Sequence, residues 1–355
     1  MTPEHWLRAA LAPPLAWGDA PLTTGVLRAS PEDFEVDEIL GFEASGEGPH
    51  ALLRVRKRGA NTEWVARELA RAAGCKPFEV GFAGLKDRNA VTTQAFTVPR
   101  GKRPAAEFAG LAGEGYEVLS SAAHQRKLPR GALAGNRFAI TVRDMHCPPG
   151  ALRQRIDAVG AGGVPNYFGP QRFGREAGNL AQVMRAAESL AGGRAGARGR
   201  SDQGFMLSAA RSLIFNAILA ERIKLGTWNR LLAGDVANLD GRGSVFAVAA
   251  CDDDLARRCA ALEIHPTAPL AGGGESLAAG EVLALEQRVA GQFPEALAVI
   301  QSERMNAERR ALRMRVRDLQ HEYADGVLRL RFALDAGSFA TAVLREIIVT
   351  DSAGE

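Results

Sequence analysis

The sequence predicts a mixed fold of strands and amphipathic helices in two domains, the first interrupted by the second. Three observations carry this. Segments near both ends alternate apolar and polar residues with the period of a half-buried strand, as in ALLRVRKRG (51–59), NRFAITVRD (136–144) and VLRLRFALD (327–335). From about residue 160 to about residue 300 the texture shifts to Gly- and Arg-rich loops around a strongly apolar helix. A final strand pattern has no partner near it in sequence, so it is expected to join the N-terminal sheet. The first domain is therefore read as 1–158 plus 302–355, and the insertion as 159–301.

The elements follow in order. The first 30 residues read as a Pro-broken arm, and Phe34, Val36 and Ile39 begin a strand. In 51–59, Leu53, Val55 and Lys57 share one face while Arg54, Arg56 and Arg58 form a basic stripe on the other. Thr62 is placed as the N-cap of a helix over 63–73 that Gly74 ends. FEVGF is a short strand, Gly84 to Asn89 a loop, and QAFTVP a second strand stopped by Pro99. Phe138, Ile140 and Val142 share one face of the next strand, and a helix covers roughly 150–160. In the insertion, Arg194, Arg198 and Arg200 lie in a Gly-rich segment, and Ser208 to Gly226 bound the apolar helix. GDVANLDGRGSVFAVAACD (234–252) reads as short strands about a Gly turn. PLAGGGESLAAGE lacks the Lys and Ser/Thr of a phosphate loop. Near the end, Leu328, Leu330, Phe332 and Leu334 point inward, and a helix capped by Ser338 carries Phe339, Val343, Leu344 and Ile347.

Composition narrows the classes. The chain has 355 residues, comfortable for two domains, with 46% apolar and 24% charged residues. Net charge is +3 and the pI about 8.8, a mild lean toward anionic partners. Four cysteines without CxxC spacing suit reduced thiols, and His146 beside Cys147 lacks further ligands for a metal. No basic start followed by an apolar run is present, and no unbroken apolar run of about 18 residues, so a soluble, cytoplasmic protein is expected.

The segment GFAGLKDRNAVTTQAF (81–96) sets Asp87 between Lys86 and Arg88 at a strand end, where a rigid frame can hold a catalytic group. A loop-capping Asp would read the same way. The motifs GFAGLKDRNAVTTQ, GNRFAI, GVPNYFGPQRFGREAGNL, LSAARSLIFN and AGSFATAVLREI occur in this order and together resemble the TruD family of tRNA pseudouridine synthases over nearly the whole chain after residue 30. The resemblance implies an α+β fold: a pseudouridine synthase-like catalytic domain with a mixed, mostly antiparallel sheet and flanking helices, interrupted by a family-specific α+β insertion. It implies conversion of uridine to pseudouridine, usually at tRNA position 13, without cofactor or metal. It maps the essential aspartate onto Asp87, and it places Asn136 and Phe138 near the base.

The chemistry fits these residues. An ionised carboxylate can attack C1′ of the ribose or remove the 2′ proton, and the sequence leaves both routes open. A cation from another strand should keep Asp87 charged, and Lys57 is the expected partner; Lys86 and Arg88, with Asn136 and Phe138, complete the substrate set. Phe138 can stack on uracil and Asn136 can pair with its edge. The base that removes the C5 proton is not identifiable; Asp87 itself can serve, with His50 and Tyr167 as weaker choices. Arg54, Arg56, Arg58, Lys127, Arg130, Arg172 and Arg175 are expected to meet RNA phosphates. The expected partner is tRNA, bound by a monomer with no metal and no membrane. The rival readings are a non-catalytic RNA-binding protein or tRNA chaperone, for which Asp87→Asn would change nothing, and a base-releasing glycosidase, which would yield free uracil.

Overall fold

The alternating segments become strands of one sheet, and the apolar helix becomes the centre of a separate helical unit. The computed structural model describes residues 2–193 and 200–352. Two compact units result: Met1–Pro21, Asp157–Arg315 and Thr341–Glu346 form one, and Leu22–Ile156, Val316–Ala340 and Ile347–Glu355 the other. The architecture is α+β.

In the sheet unit the main strands are β1 (Thr23–Leu27), β2 (Phe34–Ile39), β3 (His50–Arg58), β4 (Val91–Pro99), β5 (Tyr116–His124), β6 (Gly135–Arg143), β7 (Arg317–Ala324), β8 (Val327–Asp335) and β9 (Ile348–Ser352). Their order is β7-β8-β6-β2-β4-β3-β5, with β1 beside β6 and β9 beside β1. Pairing is antiparallel except for β2 with β4 and β1 with β9. The last strand thus joins the N-terminal sheet as its sequence suggested. Lys57, Thr92, Val36, Phe138 and Phe332 stand in register as one row across five strands, all buried, and define the inner face. The helix Thr62–Ala73 covers part of that face, packing Val65 and Leu69 on Leu53, Val55, Phe96 and Val98. Asn61, not Thr62, occupies its N-cap position, and Gly74 ends it at φ +67°, a left-handed conformation open to glycine. Thr62 is freed for a task described below.

The helical unit is built on the helix Arg200–Lys224, whose Leu213, Ile214, Phe215, Ile218 and Leu219 are buried. It extends upstream of the expected start, so Ser208 lies mid-helix and does not cap it. Residues 203–224 are long and apolar enough to cross a membrane, yet 67% of the apolar window is buried within the protein, as befits a core helix. A small sheet pairs Val236–Leu239 with Val245–Ala247 and with Ile264–Leu270. The units and the expected division differ in three places. The arm contains a helix, Glu4–Leu11, whose Trp6 and Ala10 enter the helical core. The strand Glu308–Ala311 pairs with Ile264–Leu270. Glu346 accepts the N–H groups of Ala16 and Trp17, drawing the segment after β8 to the same unit. Arg194 and Arg198, and the side chain of Arg200, lie outside the described residues.

Candidate active site

The loop from Gly84 to Asn89 leads into β4 on the inner face, and three buried polar side chains fix its backbone. Lys57, 1% exposed, donates from Nζ to the carbonyl oxygens of Asp87 (2.7 Å), Ala60 (2.8 Å) and Lys86 (3.4 Å). Thr62 Oγ1 accepts the Lys86 N–H at 3.0 Å and donates to Gln94 Oε1 at 3.1 Å. Gln94 Nε2 in turn donates to the Gly84 carbonyl at 2.6 Å. Lys86 turns inward, its Nζ 2.7 Å from Glu38 Oε2, with both side chains buried; the other Glu38 oxygen accepts the Ala95 N–H at 3.1 Å. A buried ion pair satisfied in this way is an anchor, because removing either partner strands a charge.

With Lys86 drawn inward, the Asp87 carboxylate is left at the surface, 37% exposed. Its Oδ2 lies 2.6 Å from Arg28 Nη2, and its Oδ1 accepts the Asn89 N–H at 3.0 Å. Arg28 follows directly on β1, at φ +62°, a strained conformation for a residue with a Cβ. Its guanidinium also lies over the Phe34 ring, 4.4 Å from the centroid. Phe34 meets Phe138 edge-on at 6.3 Å, and Phe138 stacks on Phe332 at 5.3 Å. A continuous run of contacts therefore joins Phe332, Phe138, Phe34, Arg28 and Asp87. Asn136 lies opposite Glu38 in register, and its Oδ1 is buried with no hydrogen-bond partner. An unsatisfied acceptor of this kind is costly unless a ligand meets it.

One expectation is corrected here. Lys57 is not the partner of the Asp87 carboxylate: it holds the main-chain carbonyl, and Arg28 holds the carboxylate. Burial lowers the Lys57 ammonium to about 8; the nearby Asp87 charge opposes that shift and Lys86 adds to it. Lys86 is committed to Glu38, and Arg88 donates from Nε to the Gly59 carbonyl at 3.3 Å. The sequence missed Arg28, since nothing in VLRASPEDF marks it.

Other expected residues lie elsewhere. Arg54, Arg56 and Arg58 occupy the outer face, away from Lys57. There Arg58 pairs with Glu32, Arg54 lies 3.9 Å from Asp37, and Arg54 and Arg137 help line an open groove of about 390 Å³. Lys127 donates to the Phe78 carbonyl, and the Arg130 guanidinium lies 3.7 Å from the Phe82 ring centroid. Arg172 and Arg175 belong to the helical unit. His50 sits at the end of β3 remote from Lys57, roughly 24 Å along the strand at its usual rise. His50 is therefore not placed to take a proton beside Asp87. Tyr167 is 4% exposed, in the helical unit, and burial pushes its hydroxyl strongly up. Among the described residues, no group of three or more His, Cys, Asp or Glu side chains converges to hold a metal.

Comparison with known proteins bears on this geometry. A family model described as tRNA pseudouridine synthase D (TruD) matches residues 16–186 and 202–347. A protein named tRNA pseudouridine synthase D from Methylococcus capsulatus is 45% identical over 334 residues, covering 93% of this chain and 92% of its own length. One of the same name from Xanthomonas campestris pv. campestris is 44% identical over 345 residues, covering 94% of each chain. A crystal structure assigned to tRNA pseudouridine synthase D from Methanosarcina mazei superposes with a TM-score of 0.77 over 98% of each chain, and at 23% identity that likeness speaks to the fold.

Proposed function

Because the chain belongs to the TruD family of tRNA pseudouridine synthases, we infer that it isomerises uridine to pseudouridine in tRNA with Asp87 acting at the ribose. The observation that carries this assignment is the Asp87 carboxylate, set at the surface by a fully braced loop and paired with Arg28 at 2.6 Å. The proposed substrate is the uridine at tRNA position 13, the family's usual one. The enzyme acts in this reading as a cytoplasmic monomer whose partner is tRNA.

In the reaction the bond from N1 of uracil to C1′ breaks, C5 bonds to C1′, the C5 proton leaves and N1 gains a proton. Asp87 starts it either by attacking C1′ or by removing the 2′ proton; each route needs the carboxylate charged. Arg28 offers that carboxylate a charged hydrogen-bond donor at 2.6 Å where the bound uridine excludes water. The detached base must be held while it turns. The Asn136 Oδ1 can accept the uracil N3–H, and the aromatic group of Phe138, Phe332 and Phe34 offers an apolar wall beside it. Once free of the sugar, the Asp87 carboxylate is the base nearest to hand for the C5 proton.

The test uses tRNA transcripts tritiated at uracil C5 with the wild-type protein and Asp87→Asn. The expected result is tritium release by wild type, none by the variant, and equal tRNA binding by both. Equal release would remove Asp87 from the chemistry. Free uracil as product would mark a base-releasing enzyme, and binding without release by either protein would favour the RNA-binding reading.

A further inference from the structure

The helical unit contains a cluster of cations that the chemistry at Asp87 does not use. Two arginines approach the ring of Phe168: the Arg310 guanidinium carbon lies 4.3 Å from the centroid and that of Arg172 5.2 Å. Both side chains are half-buried. Arg310 donates to Asn166, with Nη2 to Oδ1 at 2.5 Å and Nε to the carbonyl at 3.4 Å. Arg172 donates from Nη1 to Ser208 Oγ at 2.9 Å. Every one of these acceptors is neutral, and among the described residues no carboxylate forms an ion pair with either arginine. The ring itself is fixed, because Asn216 accepts the Phe168 N–H and donates to its carbonyl, both at 3.0 Å. The segment after Arg172 is strained, with Glu176 at φ +52° and Ala177 at +58°.

Two like charges set around one ring in a partly dry site repel each other, and neutral acceptors compensate only part of their lost hydration. Burial, and then the charge of Arg172, lowers the Arg310 guanidinium to about 10, against a group that ordinarily stays protonated. In the free protein the ring contacts and these hydrogen bonds offset only part of that cost. An anion that enters between planar forks removes the repulsion and accepts several charged hydrogen bonds at once. The geometry points to Arg172, Arg310 and Phe168 as a seat for RNA phosphodiester groups, with Arg310 as the inner and Arg172 as the outer ligand. This rests on the tRNA-modifying reading above, and it adds Arg310 and the ring to the phosphate contact expected of Arg172.

The test is tRNA binding by fluorescence anisotropy across a KCl series, with steady-state kinetics and thermal unfolding of the same samples. Arg172→Gln should weaken tRNA binding about tenfold and flatten the salt dependence by about one phosphate contact. Its KM for tRNA should rise more than its kcat falls, and the free protein should melt no lower than wild type, because a repulsion has been removed. Inorganic phosphate should raise the melting temperature of wild type and not that of the double variant Arg172→Gln, Arg310→Gln. A lower melting temperature with unchanged tRNA affinity and salt slope would make the arginines structural and overturn the proposal. A response to inorganic phosphate without any change in tRNA affinity would make the site one for a free anion, overturning the assignment to RNA. Wild-type tritium release, measured on the same preparation, reports separately on the reading of the whole enzyme.

Discussion

The two faces of β3 hold cations in opposite physical states one residue apart. Lys57 on the inner face is buried and solvated by three carbonyl oxygens, two of them (Lys86 and Asp87) in the loop it organises and the third (Ala60) in the turn after β3. Arg56, next to it, points out of the same sheet among Thr93 and Glu117 of the neighbouring strands. The same contrast runs along β2: Glu38 is buried against Lys86, while Glu35 is exposed. Residue type therefore says little about what a charge does in this sheet. Strand phase decides it, by choosing whether the charge is answered by protein groups or by water.

The largest test of this contrast lies on β2. Glu38→Leu strands the Lys86 ammonium and should cost about 3–5 kcal/mol of stability, whereas Glu35→Leu should stay within about 0.5 kcal/mol. Urea unfolding of the pair measures the difference, and similar losses would remove the distinction between faces. Next comes β3. Lys57→Met leaves the carbonyls of Ala60, Lys86 and Asp87 without their donor and should cost about 2–3 kcal/mol together with a drop in kcat of more than about tenfold, since a small misplacement of a catalytic group is expensive. Arg56→Met should be near neutral in stability.

Acidity sharpens the same comparison. Lys57 titrates at about 8 in the folded protein against 10.5 when free. Between those values the unfolded chain binds the extra proton, so this group's contribution to stability rises with pH across the window, and its buried charge weighs fully on the fold below about 8. The loop, by contrast, loses a charged donor as pH climbs past 8. Turnover should therefore decline above pH 8 in a range where Lys57 itself does not promote unfolding, and a pH–kcat profile run beside a pH–stability profile separates the two. The smallest effect concerns the outer stripe. Arg54→Gln with Arg56→Gln should alter KM for tRNA rather than kcat, and should change the salt slope by about 0.7–0.9 for each phosphate contact removed. No change in slope would take the outer face out of RNA binding.

What could be read from the sequence follows the range of the interactions involved. The phase of β3, the loop around Asp87 and the inward row of β8 are local patterns, and they are visible as such. Arg28 is not, because its place beside Asp87 depends on where β1 is held, and β1 pairs with β6 and β9, far away in sequence. β5 escaped notice because Val118 is its one fully buried residue, which leaves little alternation to read. Thr62 reads as a helix cap in its local sequence, yet a tertiary partner, the Lys86 N–H, claims its hydroxyl. The Arg310 cluster likewise adds Ser208 and Arg310, far away in sequence, to Asn166, Phe168 and Arg172 of one short segment, so that segment alone does not reveal it.

The pairing of β1 with β9 has a consequence for how this enzyme comes into being. Arg28 stands at the end of a strand whose outer neighbour is residues 348–352, made after the whole insertion. Synthesis runs from the N-terminus, and contacts between distant segments close late and slowly. The braced loop of Asp87 can form early, from residues 38 to 95 alone, while the edge beside Arg28 stays unzipped. The nascent chain would thus carry its carboxylate well before the strand that steadies the matching cation arrives, and competence to modify RNA would wait on residues 348–352.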